Sequence, residues 1–216
     1  MSAPPVESSP ELLTLHAVRL KGMADGAEVA ARFELDASLV QELLLDYQAF
    51  GWITRVEFVG TAGWTLTESG RSENERQLAD EVAATASSPS IRDTYVTFLP
   101  YNGRLLRACT DWQLRPARAD PLAVNMHTDK EWDQRVLSAL SALSPELRTI
   151  CQELGRRLTR FQGYDERFAA ALARVEGGDL SWVARPRVDS CHTVWMELHE
   201  DLVATLGIRR GAEPTQ

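Results

Sequence analysis

The chain is poor in cysteine, with only Cys109, Cys151 and Cys191 in 216 residues, far apart and without a CxxC pair. An odd, scattered set excludes a disulfide framework and the paired thiolates of a structural zinc site, and fits a reducing cytoplasm. Long apolar runs are missing as well. None approaches the roughly 20 residues a helix needs to cross a bilayer, so no membrane partner is expected. The opening MSAPPVESSP lacks the basic and apolar regions of a signal peptide.

Catalytic motifs are also wanting. GTAG at 60–63 and the glycine pair at 177–178 match neither a phosphate-binding loop nor a dinucleotide fingerprint, and GxSxG does not occur. Cys191 adjoins His192, but neighbours on a helix point about 100° apart and do not form a catalytic pair. No catalytic residue and no cofactor is therefore assigned, and an enzyme is not expected.

What is present is an ordinary globular composition, 44% apolar and 25% charged, with a net charge of −8. The charge is uneven. Residues 1–86 carry six bases against fourteen acids, while residues 87–216 carry seventeen of each. The step falls at a small polar stretch, ASSPS at 86–90, which reads as a helix end or linker. The expected organisation is a disordered tail over 1–10, a first domain over 11–86, a second over 87–208 and a loose tail over 209–216.

In the first domain, Leu13, Ala17 and Leu20 repeat at helical spacing before Gly22, and residues 27–33 form a second short helical segment. Asp36 is a suitable N-cap for a third helix to about Phe50, with Leu39, Leu43, Leu44 and Tyr47 as its apolar stripe. Residues 52–59 and 64–66 read as strands around a turn at 60–63, and a helix is expected over 72–86. Three helices and a hairpin follow the order of a winged helix-turn-helix. GAEVAARFELDASLVQELLLDYQAFGWI and GWTLTESGR (63–71) resemble the two-helix core and wing-closing segment of MarR-type bacterial regulators. Within that resemblance, Thr67 begins the next helical turn and Gly70 allows a tight bend.

The resemblance implies DNA binding, with the helix at 36–50 in the major groove and the wing on the adjacent backbone. The residues it assigns to DNA are Arg32, Ser38, Gln41, Gln48 and Arg55. Ser38 suits a phosphate, and Gln41 and Gln48 suit adenine edges. Yet residues 36–50 contain no Lys or Arg and three acids, Asp36, Glu42 and Asp46. Affinity for DNA rests largely on basic side chains facing phosphates. Two readings stand: a homodimeric operator-binding regulator, and a winged-helix scaffold that contacts a protein through Leu45 and its neighbours.

The second domain reads as a helical bundle, giving a mainly α chain overall. Helices are expected over 90–97 and 103–115, interrupted near Pro100. Another opens on a Thr128/Glu131 capping box, and one follows Ser144 and Pro145. Further helices are expected over 164–175 and 189–206. On the last, Asp189, His192, Met196 and His199 share one face, bordered by Trp195. Asp111, Trp112 and Gln113 form a second polar and aromatic cluster. These seven residues other than Met196 are the candidate ligand-binding set. Three accounts fit them: a buried hydrogen-bond network, a pocket for a small-molecule effector lined by Trp112, Trp195 and His192, or a metal site. His192 and His199 stand two turns apart, about 10 Å along the axis, too far to share one ion unaided, so no metal is assigned. Residues 98–116 and 184–202 resemble actinobacterial regulator-like proteins and extensions of pyruvate phosphate dikinase-like enzymes. That resemblance implies a sensing module near phosphoenolpyruvate or pyruvate metabolism. The combined expectation is a cytoplasmic, ligand-responsive regulator.

Overall fold

The structure, a computed structural model, describes residues 4–58, 60–118 and 120–208; the expected loose tail at 209–216 lies outside the described residues. The chain is mainly helical with one antiparallel hairpin, and no described helix is long and apolar enough to cross a membrane. It divides into two compact units. One comprises Met1–Ile91, Arg156–Arg160 and Glu200–Thr215, and the other mainly Arg92–Gly155 and Phe161–His199. The sequence reading instead gives all of 87–208 to a single bundle.

The first unit opens with α1 (Pro10–Lys21), capped by Ser9, whose Oγ accepts from the Leu12 amide. Gly22 closes it at φ 73°, a backbone glycine adopts without steric cost. The expected disorder of residues 1–10 does not hold for 4–10. Val6 pairs with Leu158, donating its amide to the Arg157 carbonyl while its own carbonyl accepts from the Thr159 amide, both at 3.0 Å. Backbone bonding, invisible to a composition argument, orders this Pro- and Ser-rich stretch.

Helix α2 (Gly26–Arg32) starts on a capping box between Asp25 and Glu28, and α3 (Ala37–Ala49) on Asp36, which accepts from the Leu39 amide at 2.9 Å. Val40, Leu44 and Tyr47 of α3 are buried with Leu15, Val18, Val29, Ile53 and Trp64. Strands β1 (Ile53–Phe58) and β2 (Thr61–Leu66) pair in register from Ile53 with Leu66 to Phe58 with Thr61. The expected turn at 60–63 is thus largely strand. Gly60, at φ 75°, leaves Thr61 already paired, and Gly63 sits where a Cβ would come within 3.0 Å of the Ala24 carbonyl oxygen. Val59, expected in the first strand, lies outside the described residues. Ala24 bridges Trp64 through two backbone bonds of 3.1 and 2.7 Å, docking the α1–α2 connection on the hairpin.

Helix α4 (Glu68–Thr85) starts four residues earlier than expected because Thr67 caps it, accepting from the Gly70 amide at 3.1 Å. Gly70 does not serve a bend. It is buried, and a Cβ there would lie 1.8 Å from the Trp52 carbonyl oxygen, so glycine permits α4 to press against the chain entering β1.

Helix α5 (Ser88–Gln113) is continuous through Pro100, against the expected break. Pro100 deprives only the Val96 carbonyl of its helical donor. Val96 is 61% exposed and Pro100 is also exposed, so that carbonyl faces water. Helix α6 (Lys130–Ser141) is capped by Asp129, not by Thr128. The Asp129 carboxylate accepts from the Glu131 and Trp132 amides at 3.1 Å, and as an anion at a helix start it outcompetes a hydroxyl. Then come α7 (Ser144–Gly155), a 3-10 turn at Thr159–Phe161, α8 (Tyr164–Glu176), a second 3-10 turn at Leu180–Val183, and α9 (Cys191–Thr205). In the second unit, Trp195 is fully buried between Phe98 and Phe168, with ring centroids at 5.1 and 5.8 Å. The first nine residues of α9 belong to the second unit and its last six to the first.

Candidate functional site

On α3, Ala37, Ser38, Gln41, Leu45 and Gln48 are exposed, as the apolar stripe requires of the opposite face. Glu42 and Asp46 are exposed beside them. Leu45 is 53% and Phe50 61% exposed, the latter against Trp52 with centroids 4.9 Å apart. Arg32 is not on this surface. It is buried, its guanidinium lies 4.4 Å from the Phe33 ring centroid, and its charge contributes to holding Asp201 ionised. Of the residues assigned to DNA, only Arg55 is an exposed base, over Trp64 at 5.9 Å on β1. The α3 surface is therefore acidic, with two large apolar side chains.

The expected ligand set is dispersed within the second unit. Trp195 lies in the core, donating from Nε1 to Asn102 Oδ1 at 3.1 Å. Asp189 precedes α9 instead of lying on it, and both its oxygens accept from Arg167 at 2.7 and 2.8 Å. Arg167 also donates to Glu197 at 2.7 Å. His199 stacks with Tyr95 and Phe98, at 6.4 and 5.8 Å. His192 is half-buried, and desolvation lowers its pKa below the ordinary imidazole value. Asp189 falls off the expected helix face because Val188 and Ser190 are held in a turn, and the helix begins only at Cys191.

Trp112 and Gln113 do line a cleft of about 440 Å³, together with Val124, Asn125, His127, Ser181, Ala184 and Arg185. Trp195 and His192 take no part in it. The segment after α5 folds back: the Asn125 amide donates to the Gln113 carbonyl at 2.8 Å, and Asn125 Nδ2 donates to the Trp112 carbonyl at 3.1 Å and to Asp133 Oδ1 at 2.9 Å. His127 packs against Trp112 at 4.4 Å with Nδ1 3.1 Å from Asp133 Oδ1. Its φ of 53° is uncommon for a residue with a Cβ and is held by its amide bond to Asn125 Oδ1. A carboxylate facing Nδ1 orients the ring, as in acid–base pairs. A nucleophile is not supplied by Ser181, whose hydroxyl donates to Asp179 at 2.7 Å.

The cysteines are buried, and desolvation pushes their thiols up, Cys109 to about 11 and both Cys151 and Cys191 to about 12, so they stay protonated and unreactive. Among the described residues no group of three His, Cys, Asp or Glu side chains could hold a metal ion.

Sequence reasoning missed Asn125, His127 and Asp133, because a loop and a helix start meet Trp112 only after folding. The available signal was an asparagine and a histidine directly after the apolar run Leu122–Val124. It also missed the polar centre of the first unit. His16, fully buried on α1, faces Asn74 Oδ1 at 3.2 Å and Asp201 Oδ1 at 3.1 Å. Arg160 donates to Asp201, to Glu81 at 3.1 Å and to Thr205 at 2.7 Å. These four segments are far apart in sequence.

No protein-family model, curated protein or solved structure matches the chain.

Proposed function

We propose that the chain is a winged-helix interaction module that regulates a partner protein through the exposed face of α3, and that it does not itself catalyse a reaction. The observation that carries this reading is the composition of that face: Leu45 and Phe50 exposed, Glu42 and Asp46 beside them, and Arg32 withdrawn into the interior. An apolar patch with an acidic rim suits a protein surface carrying bases, and repels phosphates. The order of three helices and a hairpin, with Thr67 and Gly70 at the hairpin exit, supports the MarR-like scaffold. The likeness of residues 98–116 and 184–202 to extensions of pyruvate phosphate dikinase-like enzymes points to an enzyme as the partner.

A second reading, a dimeric DNA-binding regulator, is favoured by one observation. Ser38, Gln41 and Gln48 are all exposed on α3, and Arg55 is exposed on the hairpin. Fluorescence anisotropy with duplex DNA from the protein's own promoter region, titrated with salt, separates the two. The first reading expects no complex at low salt. A complex that weakens steeply with salt and is lost in Arg55→Gln overturns it. In the same preparation, a photo-crosslinking residue at Leu45 is expected to capture protein and not nucleic acid.

A further inference from the structure

Helices α5 and α6 face each other through matching rows. Arg104, Arg107, Ala108 and Asp111 follow the i, i+3, i+4, i+7 spacing on one, and Trp132, Arg135, Val136 and Ala139 follow it on the other. Between them runs a groove of about 230 Å³. Its apolar lining is made of small side chains, the buried Ala108 and Val136 and the exposed Ala139. Trp132 stands at the end near Asp111, fixed by its Nε1 donating to the Asp111 carbonyl at 2.7 Å. Arg104, Arg107 and Arg135 line the rim, all exposed. Arg135 lies over the Trp132 ring at 4.9 Å and Arg104 over Tyr101 at 5.6 Å, ring contacts that position a guanidinium without neutralising it. Three arginines thus border a concave, partly apolar space whose lining includes one acid, Asp111.

We infer that this groove binds a small organic anion, with a carboxylate or phosphate head held by the arginines and an apolar stem lying on Ala108, Val136 and Ala139. The physical reason is the pairing of features. Guanidiniums bind planar oxyanions through two parallel hydrogen bonds, and a preformed apolar floor rewards a stem that a bare inorganic ion lacks. A volume below the roughly 300–1,000 Å³ of pockets for drug-sized ligands limits the occupant to a compact molecule. The concave shape and the aromatic end favour such a molecule over a nucleic-acid backbone, which needs an open track of charge. The inference does not depend on which partner the α3 face takes.

The test uses the full chain labelled with ¹⁵N on its tryptophan indoles, the Trp132 signal being assigned by Trp132→Phe. Hexanoate and hexyl phosphate are expected to shift the Trp132 indole resonance saturably. Hexylamine and hexanol are expected to leave it unmoved. Arg107→Gln combined with Arg135→Gln should weaken binding of both anions at least tenfold. Ala139→Trp, at an exposed position, should abolish binding while the thermal melt stays within a few degrees of wild type. Preference for phosphate over carboxylate identifies the head group, and either satisfies the inference. Equal shifts with hexanol, an equal shift with inorganic phosphate alone, no shift with any probe, or a shift produced only by a short DNA duplex with steep salt dependence would each overturn it.

Discussion

Arg160 is the residue on which the first unit's interior turns. Its guanidinium is fully buried and divides its donors among Asp201, Glu81 and Thr205. Burial alone would raise the Asp201 carboxyl, but the Arg160 charge, with His16 second, outweighs it and holds the group well below the ordinary carboxylate range. Removing one partner of such a pair leaves an uncompensated buried charge, so Arg160→Met is expected to destabilise the fold by about 3–5 kcal/mol. Urea unfolding followed by circular dichroism measures it. The pH dependence has a definite sign. A carboxyl depressed in the folded state contributes its full stability above its unfolded value, about 3.9, and loses it as pH falls toward the folded value. Wild type is therefore expected to lose stability in acid below about pH 4. The gap to Arg160→Met narrows over the same descent, since acid neutralises the orphaned Asp201. A gap that stays constant with pH would mean that Arg160 contributes packing and not charge.

At the scale of elements, caps and close approaches decide where helices begin. Asp36 and Gly22 are legible, since each acts through atoms within four residues of itself, whereas the Ser9 cap falls in a stretch whose composition reads as a disordered tail. Helix α5 continues through Pro100 because the freed carbonyl and the proline ring lie at exposed positions, and exposure to water is a tertiary fact that the sequence pattern does not carry. Gly70 was noticed for the wrong reason. Its lack of a side chain lets α4 meet the Trp52 backbone, and Thr67 and Ser69 reinforce that junction by donating to the Gly51 carbonyl at 2.7 and 2.8 Å. Gly70→Ala gains helix propensity but forces the backbones apart. The net expectation is a loss of roughly 1–3 kcal/mol, as for overpacked sites. An increase in the melting temperature of this variant would mean that the close approach is absent in solution. The candidate cleft was half legible in the same way: Trp112 and Gln113 were picked out, but His127 and Asp133 join them only through the fold-back at Asn125.

For the whole molecule, the units are not consecutive stretches of chain. Residues 156–160 and 200–208 complete the unit that begins at the N-terminal side, supplying Leu158 opposite Val6, Arg160 at the polar centre and Ala204 beside Leu12 and Leu78. Glu200 accepts from Arg19 at 2.8 Å in the same unit. A fragment of residues 1–91 would leave His16 without Asp201, Glu81 without Arg160 and Arg19 without Glu200. It is expected to lack the cooperative unfolding transition of the full chain and to give a poorly dispersed amide spectrum. A well-dispersed spectrum and a sharp melt from that fragment would show that the returning segments are accessory.

The sequence by itself determined the mainly helical class, the order of three helices and a hairpin, most helix boundaries and the acidic bias of the first ninety residues, because these follow from local periodicity, capping and charge counts. Tertiary structure alone decided which charges face water. It took Arg32 inward, placed Trp195 in the core and Trp112 on a cleft, drew Arg160 and Asp201 into the first unit, and brought three arginines together over the α5–α6 groove. The physical reason is that burial and charge pairing depend on residues distant in the chain, whose meeting no local pattern encodes.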